Sequence, residues 1–89
     1  MKTKQYPRIQ SVKPLPRRRL LVEFQNGESR VYDCNPLLTD SRFAELRNDA
    51  TFNAVKVDSG GYGVSWTDAI DLSESEIWIK GTTASESPR

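Results

Sequence analysis

The dipeptide Asn26-Gly27 constrains the fold of this chain more than any other feature. It lies at the centre of LLVEFQNGESRVYDC, in which alternating apolar and polar residues on both sides predict two strands. A two-residue type I′ turn requires positive φ at both central residues, and Asn and Gly tolerate this best. We therefore predict a hairpin with this turn. Its register pairs Val22 with Val31, Glu23 with Arg30 and Leu21 with Tyr32.

That register sorts the hairpin into an apolar and a polar face. The apolar face, which we expect to meet the core, carries Leu20, Val22, Phe24 and Val31. A lone hairpin is only marginally stable in water, so the remaining elements must extend it or cover it.

The segments before and after the hairpin predict further strands and two helices. Residues 8–13 read as a short strand that ends at Pro14. A helix capped by Thr39 or Asp40 runs to about Arg47, and a further turn at residues 49–53 anchors Phe52. We expect one cluster between helix and sheet, formed by Phe43, Leu46, Phe52 and Trp66.

The second half of the chain predicts another hairpin and a last helix. Residues 54–58 and 62–66 alternate as strands around Ser59-Gly60-Gly61, and residues 67–72 read as a connection. Ser73 and Glu76 form a capping box for a helix over residues 74–80, which Gly81 ends. The predicted fold class is therefore α+β, with an antiparallel sheet of about five strands in the order strand, hairpin, helix, hairpin, helix.

Length and composition limit the possible functions. Eighty-nine residues make one domain, predicted over residues 7–81 with flexible termini at 1–6 and 82–89. The chain has one cysteine and no histidine, which excludes an internal disulfide, a cysteine-based zinc site and histidine-based catalytic sets. No apolar run reaches the length of a membrane span, and the start lacks a signal peptide, so we expect a cytoplasmic protein without a membrane partner.

Charge is distributed unevenly along the chain. Residues 1–30 carry eight Lys/Arg and two Asp/Glu, a balance of +6, and residues 31–89 carry five and ten, a balance of −5. Such asymmetry is typical of a surface for nucleic acid or an acidic partner, although the fold can also interleave the two halves. The candidate contacts are the arginine run bracketed by prolines and two nearby cations: Arg17, Arg18, Arg19, Lys13 and Arg30.

Three other features have a functional and a structural interpretation. Cys34 is a reactive thiol or, as we favour, a small buried hydrophobe. Asp68 and Asp71 are an acid–base pair or solvated carboxylates. Tyr62 and Trp66 are a stacking platform for bases, or Trp66 belongs to the core.

The run from Pro7 to Gly81 resembles a bacterial family catalogued as domain of unknown function 2442. The matching stretches are LLVEFQNGESRVYDCNPLL, FAELRNDATFNAVKVD and GYGVSWTDAIDLSESEIW. Thr67-Asp68-Ala69 stands where that family commonly has Pro-Asn-Gly or Pro-Asp-Gly. The resemblance implies a small α+β domain and no particular reaction. Its members resemble stand-alone small proteins, the front half of proteins with a helix-turn-helix domain behind it, or the antitoxin-like half of two-gene modules.

Two functions remain open from the sequence. The first is a non-enzymatic protein-interaction module, antitoxin-like or regulatory, that binds a protein partner or a second copy through an edge strand or the basic loop. The second is nucleic-acid binding through Arg17, Arg18 and Arg19, which ranks lower because the net charge is only +1. We expect no cofactor, no metal and no catalytic residues.

Overall fold

Seven short strands form two antiparallel sheets in the computed structural model, which describes residues 6–83. The larger sheet has the order β1-β2-β3-β7, and the smaller has the order β4-β5-β6. Helices pack against them, so the predicted α+β class is confirmed, with the strands divided between two sheets. The strands are β1 Ile9–Leu15, β2 Arg19–Phe24, β3 Ser29–Asp33, β4 Lys56–Val57, β5 Gly63–Thr67, β6 Ile70–Ser73 and β7 Thr82–Thr83. The helices are α1 Asp49–Asn53 and α2 Glu74–Lys80, with 3₁₀ segments at Asn35–Thr39, Ser41–Arg47 and Ser59–Gly61.

The β2–β3 hairpin forms as predicted, but the predicted register is wrong by one residue. The Gly27 N–H donates to the Phe24 carbonyl at 3.0 Å and the Phe24 N–H to the Glu28 carbonyl at 2.8 Å, which leaves a three-residue loop. Only Gly27 in this loop has positive φ, at 92°. The loop is therefore a type I turn followed by a left-handed glycine, not a type I′ turn. Asn26 Oδ1 supports it by accepting the Glu28 N–H at 3.0 Å.

This shift of register changes which side chains face the core. Leu20 now pairs with Tyr32, Leu21 with Val31, and Val22 with Arg30. Val31 therefore points away from the core face on which it was predicted, and Tyr32 and Arg30 point toward it.

The β1–β2 connection has two successive residues with positive φ, which were expected at Asn26-Gly27. Arg17 and Arg18 have φ of 67° and 57°, and they lie in a three-residue loop because Leu15 pairs with Arg19. Two hydrogen bonds from the end of β3 hold this turn. The Cys34 N–H donates to the Arg18 carbonyl at 2.9 Å and Asn35 Nδ2 to the Arg17 carbonyl at 2.7 Å. β1 continues through Pro14 to Leu15, which is tolerated because β1 is an edge strand.

The predicted first helix forms over Ser41–Arg47 with Asp40 as its cap, but it is a 3₁₀ segment, and a further 3₁₀ segment at Asn35–Thr39 precedes it. Asp40 lies between them, and its Oδ1 accepts the Arg42 N–H at 2.9 Å. Asn48 ends the second segment and caps α1 by accepting the Thr51 N–H at 3.0 Å. Each capping side chain accepts a backbone N–H that a continuous helix would donate to a carbonyl. The helical segments in this part of the chain are therefore short.

Residues 67–72 are a hairpin, not the predicted connection. β6 pairs with β5, and Ile70 and Leu72 are buried. Thr67 Oγ1 accepts the Ala69 N–H at 3.1 Å and closes the turn without a glycine. The alternation in β6 is only four residues long, which is why it was missed.

The last helix agrees with its prediction. α2 spans Glu74–Lys80, Ser73 Oγ accepts the Glu76 N–H at 3.2 Å, and Gly81 is the C-cap. Thr82 and Thr83 were predicted to be part of a flexible terminus, but they pair with β3 as β7. The other predicted flexible residues, apart from Tyr6, lie outside the described residues. No helix within residues 6–83 is long and apolar enough to cross a membrane.

The core lies between the inner face of the four-stranded sheet, the three-stranded sheet and the helices. The predicted cluster is confirmed. Phe52 and Trp66 stack with ring centroids 6.1 Å apart, Leu46 is fully buried, and Phe43 packs at the margin. Trp66 Nε1 donates to the Phe52 carbonyl at 3.1 Å, so the buried indole has its hydrogen-bond partner.

Candidate interaction face

One face of the four-stranded sheet carries two adjacent apolar side chains, Leu21 and Val31, with charged residues around them. Because residues paired across an antiparallel sheet share a face, the register defines three rows. The middle row is Lys13, Leu21, Val31 and Thr82, and the flanking rows are Leu15–Arg19–Asp33 and Ser11–Glu23–Ser29. We call these ten residues the open face.

The open face does not contribute to the core. Leu15, Leu21 and Val31 are half-buried and belong neither to the core cluster of the described residues nor to the side chains packed against it. The opposite face holds the core. There Phe24 meets the Trp78 ring edge-on at 5.1 Å, and the Tyr32 hydroxyl donates to Glu76 at 2.9 Å. α2 therefore packs on the inner face only.

Charges of both signs flank the central pair of apolar side chains. Arg19 and Asp33 pair across the strands in one flanking row, and Glu23 lies in the other. Ser11 Oγ donates to Glu23 Oε1 at 2.9 Å, and Arg19 Nε donates to the Pro16 carbonyl at 3.2 Å. A small apolar centre with a mixed polar rim is the arrangement typical of protein interfaces.

Two of the five predicted contact residues, Arg18 and Arg30, are largely buried against other elements of the chain. Arg18 Nη2 donates to the Arg47 carbonyl at 2.6 Å and forms an ion pair with Asp49, and only 23% of its side chain is exposed. The Arg30 guanidinium lies 3.7 Å from the centroid of the Trp78 ring, and 12% of its side chain is exposed. Both arginines join elements of the fold.

The other three predicted cations lie at or near the open face. Lys13 and Arg19 are part of it, and Arg17 is exposed at the turn between their strands. The structure thus brings Lys13, Arg17 and Arg19 to one region and places Arg30 on the inner face. The wrong register caused Val31 to be missed as a surface residue, whereas Leu21 alternates away from the core face in either register.

A shallow groove lies between α2 and the end of β3. It has a volume of about 260 Å³. Burial, together with the hydrogen bond to the Glu76 carboxylate, raises the pKa of the Tyr32 hydroxyl well above its usual value, so the phenol keeps its proton at neutral pH. The lining residues are Tyr32, Asp33, Pro36, Leu37, Glu76 and Lys80.

The remaining candidates have structural settings. Cys34 is fully buried, and burial raises the pKa of its thiol to about 12, so it is a poor nucleophile at neutral pH. Tyr62 is 53% exposed but Trp66 only 6%, so the two do not form a stacking platform. Asp68 and Asp71 are both exposed. Residues 6–83 contain no cluster of three or more His, Cys, Asp or Glu side chains that could hold a metal ion.

Together, the fold and the open face define a small α+β domain with one sheet face left out of its core. A family model described as "Protein of unknown function (DUF2442)" matches residues 9–82, and the chain belongs to this family. No curated protein and no solved structure matches the chain.

Proposed function

We propose that this chain is a non-enzymatic protein-interaction module of a regulatory or antitoxin-like kind, which docks a protein through the open face. The observation that carries the proposal is the cross-strand pair of Leu21 and Val31. These two apolar side chains lie outside the core and have charged residues on both sides. Apolar side chains with a charged rim bind by excluding water at the centre and setting the orientation at the edge.

The edge strands are poor sites for the addition of a partner strand, which favours a sheet face as the docking surface. β4 has two residues, β7 has two among the described residues, and β1 carries Lys13 and Pro14, which disfavour strand addition. β6, with four residues, offers a short edge. The flat side of the larger sheet is therefore the more extensive surface.

Photocross-linking in cells tests this proposal. A photoreactive amino acid replaces Leu21 in one variant and Lys56, which is exposed on β4 of the other sheet, in a control variant. We expect a discrete protein adduct from position 21 and none from position 56. Absence of adducts at position 21, or equal adducts at both positions, would contradict the proposal.

We also propose the cytoplasm as the compartment, since a single unpaired thiol suits reducing conditions.

The grouping of Lys13, Arg17 and Arg19 favours a second candidate, binding of nucleic acid. Three cations that neutralise phosphates would give a log–log salt dependence with a slope of about −2.7. Gel-shift titrations against random duplex and single-stranded DNA and RNA at several salt concentrations measure this slope. Micromolar binding that disappears in a Lys13→Ala/Arg17→Ala/Arg19→Ala variant would favour this candidate over protein docking.

A further inference from the structure

We propose that the occupant of the open face is a second copy of this chain, docked about a twofold axis that runs across the strands. This inference rests on the proposed function and specifies its partner. A twofold axis brings the same patch of two subunits together, so the patch must be complementary to itself. The order of charges along β2 satisfies this condition.

Leu21 is the centre of this symmetry. In β2, Arg19 precedes it by two residues and Glu23 follows it by two residues, all on the open face. An axis across the strands through the Leu21–Val31 row reverses the strand direction of the second copy. It therefore places Arg19 of each copy opposite Glu23 of the other, while Leu21 and Val31 meet their own counterparts.

An axis that runs along β2 itself is disfavoured by charge. It preserves position along the strand, so Arg19 would face Arg19 and Glu23 would face Glu23. Two like-charge pairs would then flank the apolar contact, and like charges held opposite each other destabilise an interface. Two sheets that pack face to face keep their strands roughly aligned, which the axis across the strands permits.

The size of the open face sets the strength expected of this dimer. Three strands about 4.8 Å apart and about five residues in length cover a few hundred Å² per copy. A stable interface buries about 800 Å² per partner. Lys13 lies at the end of the middle row and meets its own counterpart at the rim, which adds a small repulsion. We therefore expect a weak, reversible dimer with a dissociation constant on the order of 100 μM.

Sedimentation velocity of the full chain from about 20 μM to about 1 mM tests the proposal, with charge reversal as the probe. Arg19→Glu and Glu23→Arg each create two like-charge pairs per dimer, and we expect each to weaken association about tenfold. The variant that carries both reversals restores opposite charges, and we expect its association to return to within about twofold of the original. Lys56→Glu, the same charge change on the other sheet, should leave association unchanged.

Circular dichroism melts verify that each variant is folded. A chain that stays monomeric at about 1 mM would overturn the proposal. So would single charge reversals that leave the association unchanged, or a double reversal that fails to restore it. The cross-linking experiment separates these failures from failure of the proposed function. Adducts at position 21 whose mass corresponds to a different protein would support docking through the open face while rejecting the second copy.

Discussion

At the scale of single residues, the turns decide which side chains reach the open face. Within residues 6–83, positive φ occurs at Arg17 and Arg18 and at Gly27, Gly60 and Gly61. Left-handed backbone costs a non-glycine residue about 1–2 kcal/mol. At Arg18 the ion pair with Asp49 and the hydrogen bond to the Arg47 carbonyl offset part of this cost. The arginine run is therefore in part a structural turn.

Gly27 and Gly61 should respond differently to alanine. A Cβ at Gly27 would meet no atom within 4 Å, so Gly27→Ala costs only the backbone strain, about 1 kcal/mol. A Cβ at Gly61 would lie 2.5 Å from the Ile9 carbonyl oxygen, in addition to its φ of 79°. We expect Gly61→Ala to cost about 1–3 kcal/mol more than Gly27→Ala. Urea denaturation measures both, and equal losses would contradict the described turns.

At the scale of elements, Arg30 connects β3 to α2. Its guanidinium stacks on the Trp78 ring, which in turn meets Phe24. We expect Arg30→Ala to lower the free energy of unfolding by about 1–2 kcal/mol through lost stacking and packing. Arg17 is exposed, and alanine at this position meets the same backbone restriction as arginine. Arg17→Ala should therefore cost less than about 0.5 kcal/mol. Thermal melts compare the two, and an equal cost would place Arg30 at the surface.

Elements with complete local signals could be predicted from the sequence. The bounds of α2 follow from Ser73, Glu76 and Gly81, because a cap and a stop residue act within one helical turn. β6 could not be recognised in the same way, since its strand character depends on burial against β5 and the core.

The candidate site could not be predicted because of a single ambiguity in the hairpin. Asn-Gly suits both a two-residue turn and a three-residue loop that ends in a left-handed glycine, and these differ by one residue in register. The choice moves Val31 from the core to the open face and Tyr32 in the reverse direction. Local sequence does not decide it. The packing of Tyr32 against Glu76 and of Arg30 on Trp78 favours the observed register.

At the scale of the whole molecule, burial of Cys34 makes the free energy of unfolding depend on pH in the alkaline range. The pKa of its thiol rises from 9.0 to about 12 on folding. The unfolded chain therefore loses this proton first, and the free energy of unfolding is unaffected below pH 9 and falls between pH 9 and about 12. A single group contributes a slope of about 1.4 kcal/mol per pH unit in that window.

Denaturant titrations between pH 8 and 10 measure this slope. Tyr32, whose ordinary pKa is 10.0 and is also raised by burial, adds its own slope as the pH approaches 10 and above it. Cys34→Ala should lose stability below pH 9 because of the cavity it leaves. It should also lack the decline that begins near pH 9. The same decline in both proteins would mean that another group is responsible.

The most direct test of docking through the open face is hydroxyl-radical footprinting of the chain in cells that overproduce it and as dilute purified protein. Leu21 and Val31 report on the open face, whereas Ile79 and Tyr62, which are 61% and 53% exposed, report on other surfaces. We expect Leu21 and Val31 to be labelled in the dilute protein and protected in cells, with Ile79 and Tyr62 labelled equally in both. Equal labelling of Leu21 and Val31 under the two conditions, or protection confined to Ile79 and Tyr62, would contradict a partner on the open face.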